Sequence, residues 1–572
     1  MTAAVSFDVR QIPFATRGSW LDLSPVVGPH TQADDLHLVS HTHGMHAVLV
    51  LRPVREGRRV ETEWLATPVE LVWRAADGAE VRAAFDGPAA LRLRGAGLGL
   101  RLGDVAATLT PFTGTYLFED PVDETLVLTS YETGRRYRVT PLAGAVRPEG
   151  TEALGHAERA VLAGADGQPW EVVVEETTAA APAYRSGSTF DEVVAAARRA
   201  FDEYVDAVAP WRTDAVPAAA LAAYVLWSAT VTPDGFVRRE SVLMSKHWMD
   251  KVWSWDHCFN ALALAGGLPD LAVDQFLVPF DHQDETGALP DSVTHSEVLY
   301  NYVKPPIHGW ALRRLRESLG RPLDRDELTR IHDHLARWSR FWLDRRRRPG
   351  RSLPYYQHGN DSGWDNATTF DLDRVVEAPD LAAFLVLQLE VVADLAAELE
   401  LPAGEWREER DRVLRALLEE RWTGESFTAV GALSGRVSTT SSLLMVLPIV
   451  LGDRLPPQVR DRLVERLAEH LTDHGPATEP VTSPHYESDG YWRGPIWAPS
   501  TALVVDGLRA SGHVELADTV SARFRRLCER SGFAENFDAR TGEGLRDRAY
   551  TWTAAVYLTL AAAAAGGSRR TG

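Results

Sequence analysis

Carboxylates, amides and tryptophans are interleaved in five short stretches of this 572-residue chain. The first, Lys246 to His257, carries Trp248, Asp250, Trp253, Trp255 and Asp256. The second, Asp281 to Asp291, is a polar loop containing Gln283, Gly287 and Pro290. The third, Tyr355 to Asn366, holds Asn360, Asp361, Trp364 and Asp365. The fourth, Tyr486 to Trp497, holds Glu487, Asp489, Trp492 and Arg493, and the fifth joins Glu535, Asn536, Phe537 and Asp538 to Glu543. Aromatic faces pack against the C–H face of a pyranose while carboxylates and amides bond its hydroxyls, so these stretches suit a sugar pocket. Fourteen of the eighteen tryptophans lie from Trp211 onward, many in loops or helix starts, which places such a pocket in the later part of the chain. Each stretch also has a plainer reading, because Asn, Asp, Ser and Gly make turns and tryptophan is often buried in helix packing. Asp256, at a helix start, suits either a helix cap or a ligand hydroxyl.

Cleaving a glycosidic bond takes one protonated carboxyl to donate to the leaving oxygen and a second carboxylate to activate water or attack carbon. Asp and Glu in aromatic-rich loops meet both demands. Other catalytic sets are missing: there is no Gly-x-Ser-x-Gly elbow, no Walker loop, no Gly-x-Gly-x-x-Gly after a strand and no His-Glu-x-x-His. His37, His41, His43 and His46 have metal-binding side chains, but no carboxylate shares their segment; on strand alternation His41 and His43 share a face, a pair rather than a site. No metal and no cofactor is expected. A formal net charge of -20 opposes binding to nucleic acid and does not repel a neutral sugar. Cys258 and Cys528 are too few for a disulfide framework, which suits a reducing compartment. The stretch from Met1 to Asp8 lacks a basic-then-apolar run, and no segment reaches the roughly 20 apolar residues of a membrane span. A cytoplasmic, soluble protein with a carbohydrate substrate and no membrane partner is expected; the oligomeric state stays open.

Two kinds of periodicity divide the chain. From Ser6 to about Thr178, short alternating segments punctuated by Gly, Asp and Pro predict an antiparallel β-sandwich, with strands at 36–39, 46–51, 59–65, 69–74, 91–102, 125–130, 137–140 and 170–174. At Phe190 helical spacing begins behind a cap at Ser188 or Thr189 and runs to Val208. Beyond Trp211, about a dozen helical segments follow, near 216–230, 256–266, 269–279, 305–319, 326–346, 379–399, 405–421, 438–451, 456–473, 497–511, 514–530 and 550–565. No fixed repeat period is present, which disfavours a solenoid. The predicted organisation is α+β and multidomain: an N-terminal antiparallel β-sandwich over 1–180, a linker helix region over 181–215 and an (α/α)6 toroid catalytic domain over 216–572. The loops of all five stretches can then gather at one end of the toroid.

Trp253 to His257, Lys304-Pro305-Pro306, Asp361 to Asn366, Tyr491 to Trp497 and Glu535 to Asp538 resemble, in order and spacing, the motifs of glycoside hydrolase family 63 and more distantly those of the family 37 trehalases. The resemblance covers about residues 215 to 565. It implies an inverting, exo-acting hydrolase of an α-glucosidic bond in a disaccharide, short oligosaccharide or glucosylated small molecule, with Asp365 as general acid and Glu535 as general base. It also implies a sugar-binding wall of Trp255 and Asp256 and another of Trp492, Arg493 and Trp497; Trp253, Gln283, Asp361, Trp364 and Glu543, in the same aromatic and polar stretches, are further substrate-binding candidates. Inversion places the two catalytic carboxyls roughly 6.5 to 9.5 Å apart. Burial near Trp364 or the charge of Asp361 is expected to raise the pKa of Asp365. Phe537 stands where the resemblance has Tyr, and Lys304 where it often has Gln. An α-rhamnosidase, a β-glucosidase, a phosphorylase using phosphate in place of the base, a histidine-dependent epimerase and a non-catalytic carbohydrate-binding protein are the alternatives.

Overall fold

The computed structural model describes residues 5–106, 110, 112–151, 158–179, 181–438 and 440–568. The first four residues of the N-terminal reading and residue 180 of the connecting stretch lie outside them. The chain forms two compact units: Met1–Pro210 with Ala223–Lys251 and Thr294–Ser296, and Trp211–Ala222 with Val252–Val293 and Glu297–Gly572.

The first unit is built from two antiparallel sheets. One runs in the order Leu21–Gly28, Thr31–Ser40, His46–Arg55, Gly99–Asp104, Ala160–Ala163, Val146–Glu149, with Arg58–Arg59 beside His46–Arg55. The other runs Thr115–Glu119, Leu126–Ser130, Arg136–Ala143, Trp170–Thr177, Ala90–Ala96, Glu80–Phe85, Leu71–Ala75, Thr62–Ala66. Period-two alternation turns Leu71, Trp73 and Ala75 inward while Val72 and Arg74 point away, and the inward residues of both sheets make one core. The strand expected over 91–102 is two strands in opposite sheets. Gly97, at φ 73°, makes the left-handed turn between them, a conformation costly for any residue with a Cβ. Helix α1 (Phe190–Val208) follows; Thr189 caps it, in a capping box with Glu192.

Expected to share a strand face, His41 and His43 do not, because the strand ends at Ser40: His41 is buried and His43 exposed. His41 lies between two buried carboxylates, with Nε2 2.7 Å from Asp22 and Nδ1 3.0 Å from Asp250. Burial opposes its charge, but the two aspartates outweigh that and lift its pKa to about 9. Among the described residues no group of His, Cys, Asp and Glu could hold a metal ion.

Helix α2 (Ala219–Ala229) spans the point where the chain passes from one unit to the other. The second unit contains α3 (His257–Leu264), α4 (Pro269–Leu277), α5 (His308–Ser318), α6 (Arg325–Arg340) and α7 (Pro379–Glu398). It continues with α8 (Gly404–Ala416), α9 (Pro457–His470), α10 (Ala498–Ala510), α11 (Val514–Ser531) and α12 (Thr551–Ser568). Helices α3, α5 and α7, the segment Leu447–Arg454, α10 and α12 contact one another in turn, and α12 returns to α3. That closes the inner ring of an (α/α)6 toroid, with α4, α6, α8, α9 and α11 outside it. Composition explains the layering. Inner α7 is apolar nearly all round and buried along its length, whereas outer α9 buries a single stripe of Val459, Leu463, Leu467 and His470. The helix expected over 438–451 is instead a pair of 3-10 segments, Leu443–Met445 and Leu447–Arg454. Pro448 cannot donate to the helical ladder, and Gly452, at φ 57°, breaks the run. Among the described residues no helix is long and apolar enough to cross a membrane.

Replacing His41 with Leu leaves Asp22 and Asp250 buried with their shared cation removed, at a cost of about 3–5 kcal/mol. The folded-state pKa lies above the ordinary 6.5, so the histidine's stabilisation is fully present below that value and is lost as pH rises through about 9. Thermal denaturation of the full chain is therefore expected to separate the two proteins widely at pH 6 and narrowly at pH 10. A gap that widens with pH contradicts the charged histidine.

Candidate active site

Within the second unit, the segment holding Asp365 is shaped by two glycines. A 3-10 turn over Gly359–Ser362 ends at Gly363, whose φ of 74° is left-handed. A Cβ at Gly363 would lie 2.6 Å from the ring of Trp255, and one at Gly359 would lie 2.2 Å from the carbonyl oxygen of Asp365. The turn thus brings backbone against indole, where no side chain fits. Asp361 anchors it from beneath: its carboxylate accepts from Val303 N at 3.1 Å, Gln357 N at 2.8 Å and Arg346 Nη1 at 2.7 Å.

A column of indoles joins this segment to the fourth stretch, to α12 and to the first stretch. Trp364 stacks on Trp492 at 4.6 Å, and Trp492 on Trp497 at 3.9 Å with planes 5° apart. Trp552 meets Trp497 and Trp255 edge to face. Asn366 reinforces the joint: its Nδ2 donates to Gly490 O at 3.0 Å and its Oδ1 accepts from Trp492 N at 3.0 Å. Arg493 donates to the Asn366 carbonyl at 2.8 Å and pairs with Asp371. Phe537 and Ile496 exchange backbone hydrogen bonds, and Glu535 N donates to Asp547 O at 2.7 Å. Backbone and ring contacts thus sew the stretches together, so the position of Glu535 follows from that of Asp365.

The carboxyls sit in this frame as a charged cluster. Glu535 is 1% exposed, and its Oε1 has no hydrogen-bond partner. Burial, helped by the charge of Asp547, pushes its pKa up to about 8, against Arg546 and the hydroxyl of Tyr491, which donates to it. Asp365 is half-buried; burial raises its pKa, with Asp291 adding and Lys304 and His358 opposing. Asp256 is buried too, its Oδ2 has no partner, and burial together with Asp291 and Asp365 lifts it to about 8 against Lys304. Lys304 Nζ lies 3.0 Å from Asp291 Oδ1 and donates to Asn360 O at 2.8 Å. Tyr491 faces both Glu535 and Asp365 from a backbone φ of 63°. Arg546, at φ 59°, lies over its ring at 4.9 Å and donates to Asn536 at 3.2 Å. Two non-glycine residues in left-handed conformation, packed on each other beside a buried carboxyl, are the kind of strain that gathers at functional sites.

The model of the mannosylglycerate hydrolase MGH1-like glycoside hydrolase domain matches residues 249–553 of this chain. The chain belongs to that family. It is a glycoside hydrolase, and all the carboxyls just described fall inside the matched MGH1-like domain. A mannosylglycerate hydrolase from Rubrobacter radiotolerans is 26% identical over 400 residues, 54% of this chain and 90% of that protein. A glucosylglycerate hydrolase from Mycolicibacterium hassiacum is 23% identical over 408 residues, 54% of this chain and 91% of that protein. In fold, the chain resembles a family 63 mannosylglycerate hydrolase from Thermus thermophilus crystallised with glucose, with TM-score 0.52 and 23% identity over 60% of this chain and 99% of that one. A bacterial glucoamylase complexed with acarbose matches 99% of this chain and 96% of its own at TM-score 0.59 and 11% identity.

Several expected substrate contacts of the MGH1-like domain are instead its framework. Trp492 lies between two stacked indoles, which leaves no face for a sugar, and Trp364 and Trp497 are buried beside it. Trp255 backs Gly363. The amide of Gln283 is taken up by the carbonyls of Gly287 and His334 and by the His334 ring. Glu543 is exposed on a turn, where its carbonyl accepts from Asp538 N. Asp361 is saturated by its three donors, and Asp291, not Asp361, is the carboxylate that raises the pKa of Asp365. Asp256 stands at the start of α3 without capping it. Trp253 is half-buried, with the Lys304 ammonium 5.3 Å from its ring. The sequence places Asp291 and Tyr491 at the ends of candidate stretches without giving either a role, since the first looks like the end of a turn; Arg546 goes unmarked, because its place comes from left-handed backbone that no motif announces.

Replacing Trp492 with Ala is expected to cost about 3–5 kcal/mol in denaturant unfolding, as for a large aromatic lost from a core. A rise in KM at unchanged stability would instead mark it as a sugar wall.

Proposed function

We propose that this MGH1-like hydrolase cleaves an α-linked glucosyl or mannosyl group from a small polar molecule such as glycerate, with inversion at the anomeric carbon. The observation that carries the reading is Glu535: buried, with one carboxylate oxygen unpartnered, and with the Tyr491 hydroxyl facing both it and Asp365. In this scheme Glu535 takes a proton from water as the water oxygen bonds the anomeric carbon. Asp365 gives its proton to the glycosidic oxygen as the C–O bond breaks, releasing the free sugar and the alcohol. Solvent then returns both groups to their starting states. Desolvation keeps Asp365 protonated closer to neutral pH than a carboxyl in water. Asp256 and Trp253 form the sugar-facing wall, with the free Oδ2 of Asp256 placed for a hydroxyl. The glycerate-linked substrates of the two curated relatives support the small aglycone. The reading includes a division into a sandwich over 1–180, a connecting region over 181–215 and a catalytic toroid over 216–572. Work in the cytoplasm fits the two buried free thiols, Cys258 and Cys528.

Asp365→Asn and Glu535→Gln are each expected to lower kcat at least about 100-fold with folding intact, checked by steady-state rates and circular dichroism; unchanged turnover in either removes that residue from its role. Proton NMR of the first-formed sugar is expected to show the β-anomer from an α-glycoside. Assays of glucosylglycerate, mannosylglycerate, trehalose, an α-rhamnoside and a β-glucoside, with and without phosphate, give the substrate; phosphate dependence would make the protein a phosphorylase.

The pH profile follows from the same carboxyls. The base must be ionised, so the rate climbs as pH rises through its pKa; the acid must be protonated, so the rate falls as pH rises through the other. Burial raises both, so both limbs of the bell belong above the ordinary carboxylate range. A limb near the ordinary Glu value of 4.5 would exclude a buried Glu535 as base.

A further inference from the structure

Lys304 is 5% exposed, and no carboxylate on its own segment balances it. Its ammonium instead ties together three distant stretches. It pairs with Asp291 at 3.0 Å, donates to the carbonyl of Asn360 in the Asp365 segment at 2.8 Å, and lies 5.3 Å from the ring of Trp253. Asp291 is fixed in turn by its backbone, which receives Ser254 N at 3.3 Å and donates to Leu299 O at 2.7 Å. The wall segment of Trp253 to Asp256, the short strands around Ser292–Val293 and the acid-bearing turn therefore meet at one buried ion pair. A neutral glutamine could still donate to the Asn360 carbonyl, but it would bring no charge to the carboxyls nearby.

We propose that Lys304 and Asp291 are a positioning pair for the general acid, holding the Asp365 turn against the sugar wall and setting the charge that Asp365 experiences. The proposal rests on Asp365 being the acid. Asp365 faces Lys304, Asp291, His358, Asp256 and Tyr491; Lys304 faces Asp291, Asp365 and Asp256. Within that set Lys304 favours the ionised acid and Asp291 the protonated one. Removing each charge must therefore move the acid in opposite directions.

The test is the pH profile of kcat/KM, both limbs, in Lys304→Gln and Asp291→Asn, measured on the glycoside that the enzyme hydrolyses fastest. One limb tracks Asp365: Lys304→Gln is expected to move it up and Asp291→Asn to move the same limb down, each by about one pH unit, the scale of a nearby charge, with kcat falling more than KM rises. A merely structural pair would lower activity or melting temperature in both variants without splitting the limbs. Limbs that stay put, or move the same way, overturn the proposal. If one variant does not fold, the direction of the other decides. Asp365→Asn keeps the two ideas apart: an active Asp365→Asn enzyme sinks the acid assignment itself, whereas an inactive one with unmoved limbs sinks the positioning pair alone.

Discussion

A carboxyl that must keep its proton near neutrality has to be dry, and a dry carboxyl must be held by something other than water. In the second unit that holder is the indole column of Trp364, Trp492, Trp497, Trp552 and Trp255. Flat faces in van der Waals contact bury much apolar area with few torsions to freeze, so they fix a loop without a saturating polar partner that would change its charge. The column crosses from one stretch to the next, and the amide of Asn366 and the Ile496–Phe537 bridge follow its course. The turn of Asp365 and the segment of Glu535 are therefore parts of one packed object. Asp256, Asp365 and Glu535 have raised pKa values for the same reason: the framework that orients them also excludes solvent.

The charges left in this framework are balanced sparingly. Asp361 is neutralised by Arg346 and two backbone amides and plays the part of a bolt, while Lys304 is shared among Asp256, Asp291 and Asp365. The first unit solves a related problem differently. There His41 is shared by Asp22 and Asp250, and the nearby Lys246 is so desolvated that its pKa falls to about 7. In the first unit the buried ions tie the segment around Lys246 and Asp250 to the strands of Leu21–Gly28 and Thr31–Ser40, in the second they surround Asp365, and the arithmetic of desolvation against pairing is common to both.

Much of this was legible in the sequence because it is written in period and composition. Alternation marked the sandwich, helical spacing marked the toroid, and the crowding of Trp with Asp and Glu marked the loops that the structure brings together. Misreadings came where a local signal has two physical outcomes. Leu91 to Leu102 is apolar and alternating on both sides of Gly97, so the change of sheet is invisible without the backbone angle. The segment 438–451 has helical spacing, yet Pro448 and Gly452 keep it in 3-10 turns. Trp492 reads equally as a sugar platform or a packed ring until both of its faces are seen to be covered. The role of Tyr491 and the place of Arg546 were silent because left-handed backbone at a non-glycine residue leaves no trace in residue type.

The covered faces of Trp492 also bear on how such an enzyme changes its taste. A ring clamped on both sides cannot be exchanged without loosening the segments of Asp365 and Glu535 together, so divergence toward a new sugar or aglycone is channelled away from the column. It falls to side chains outside the column, such as half-buried Trp253 and Asp256 with its unpartnered Oδ2. The indole column is in this sense a chassis, which can keep its shape while the residues mounted on it change.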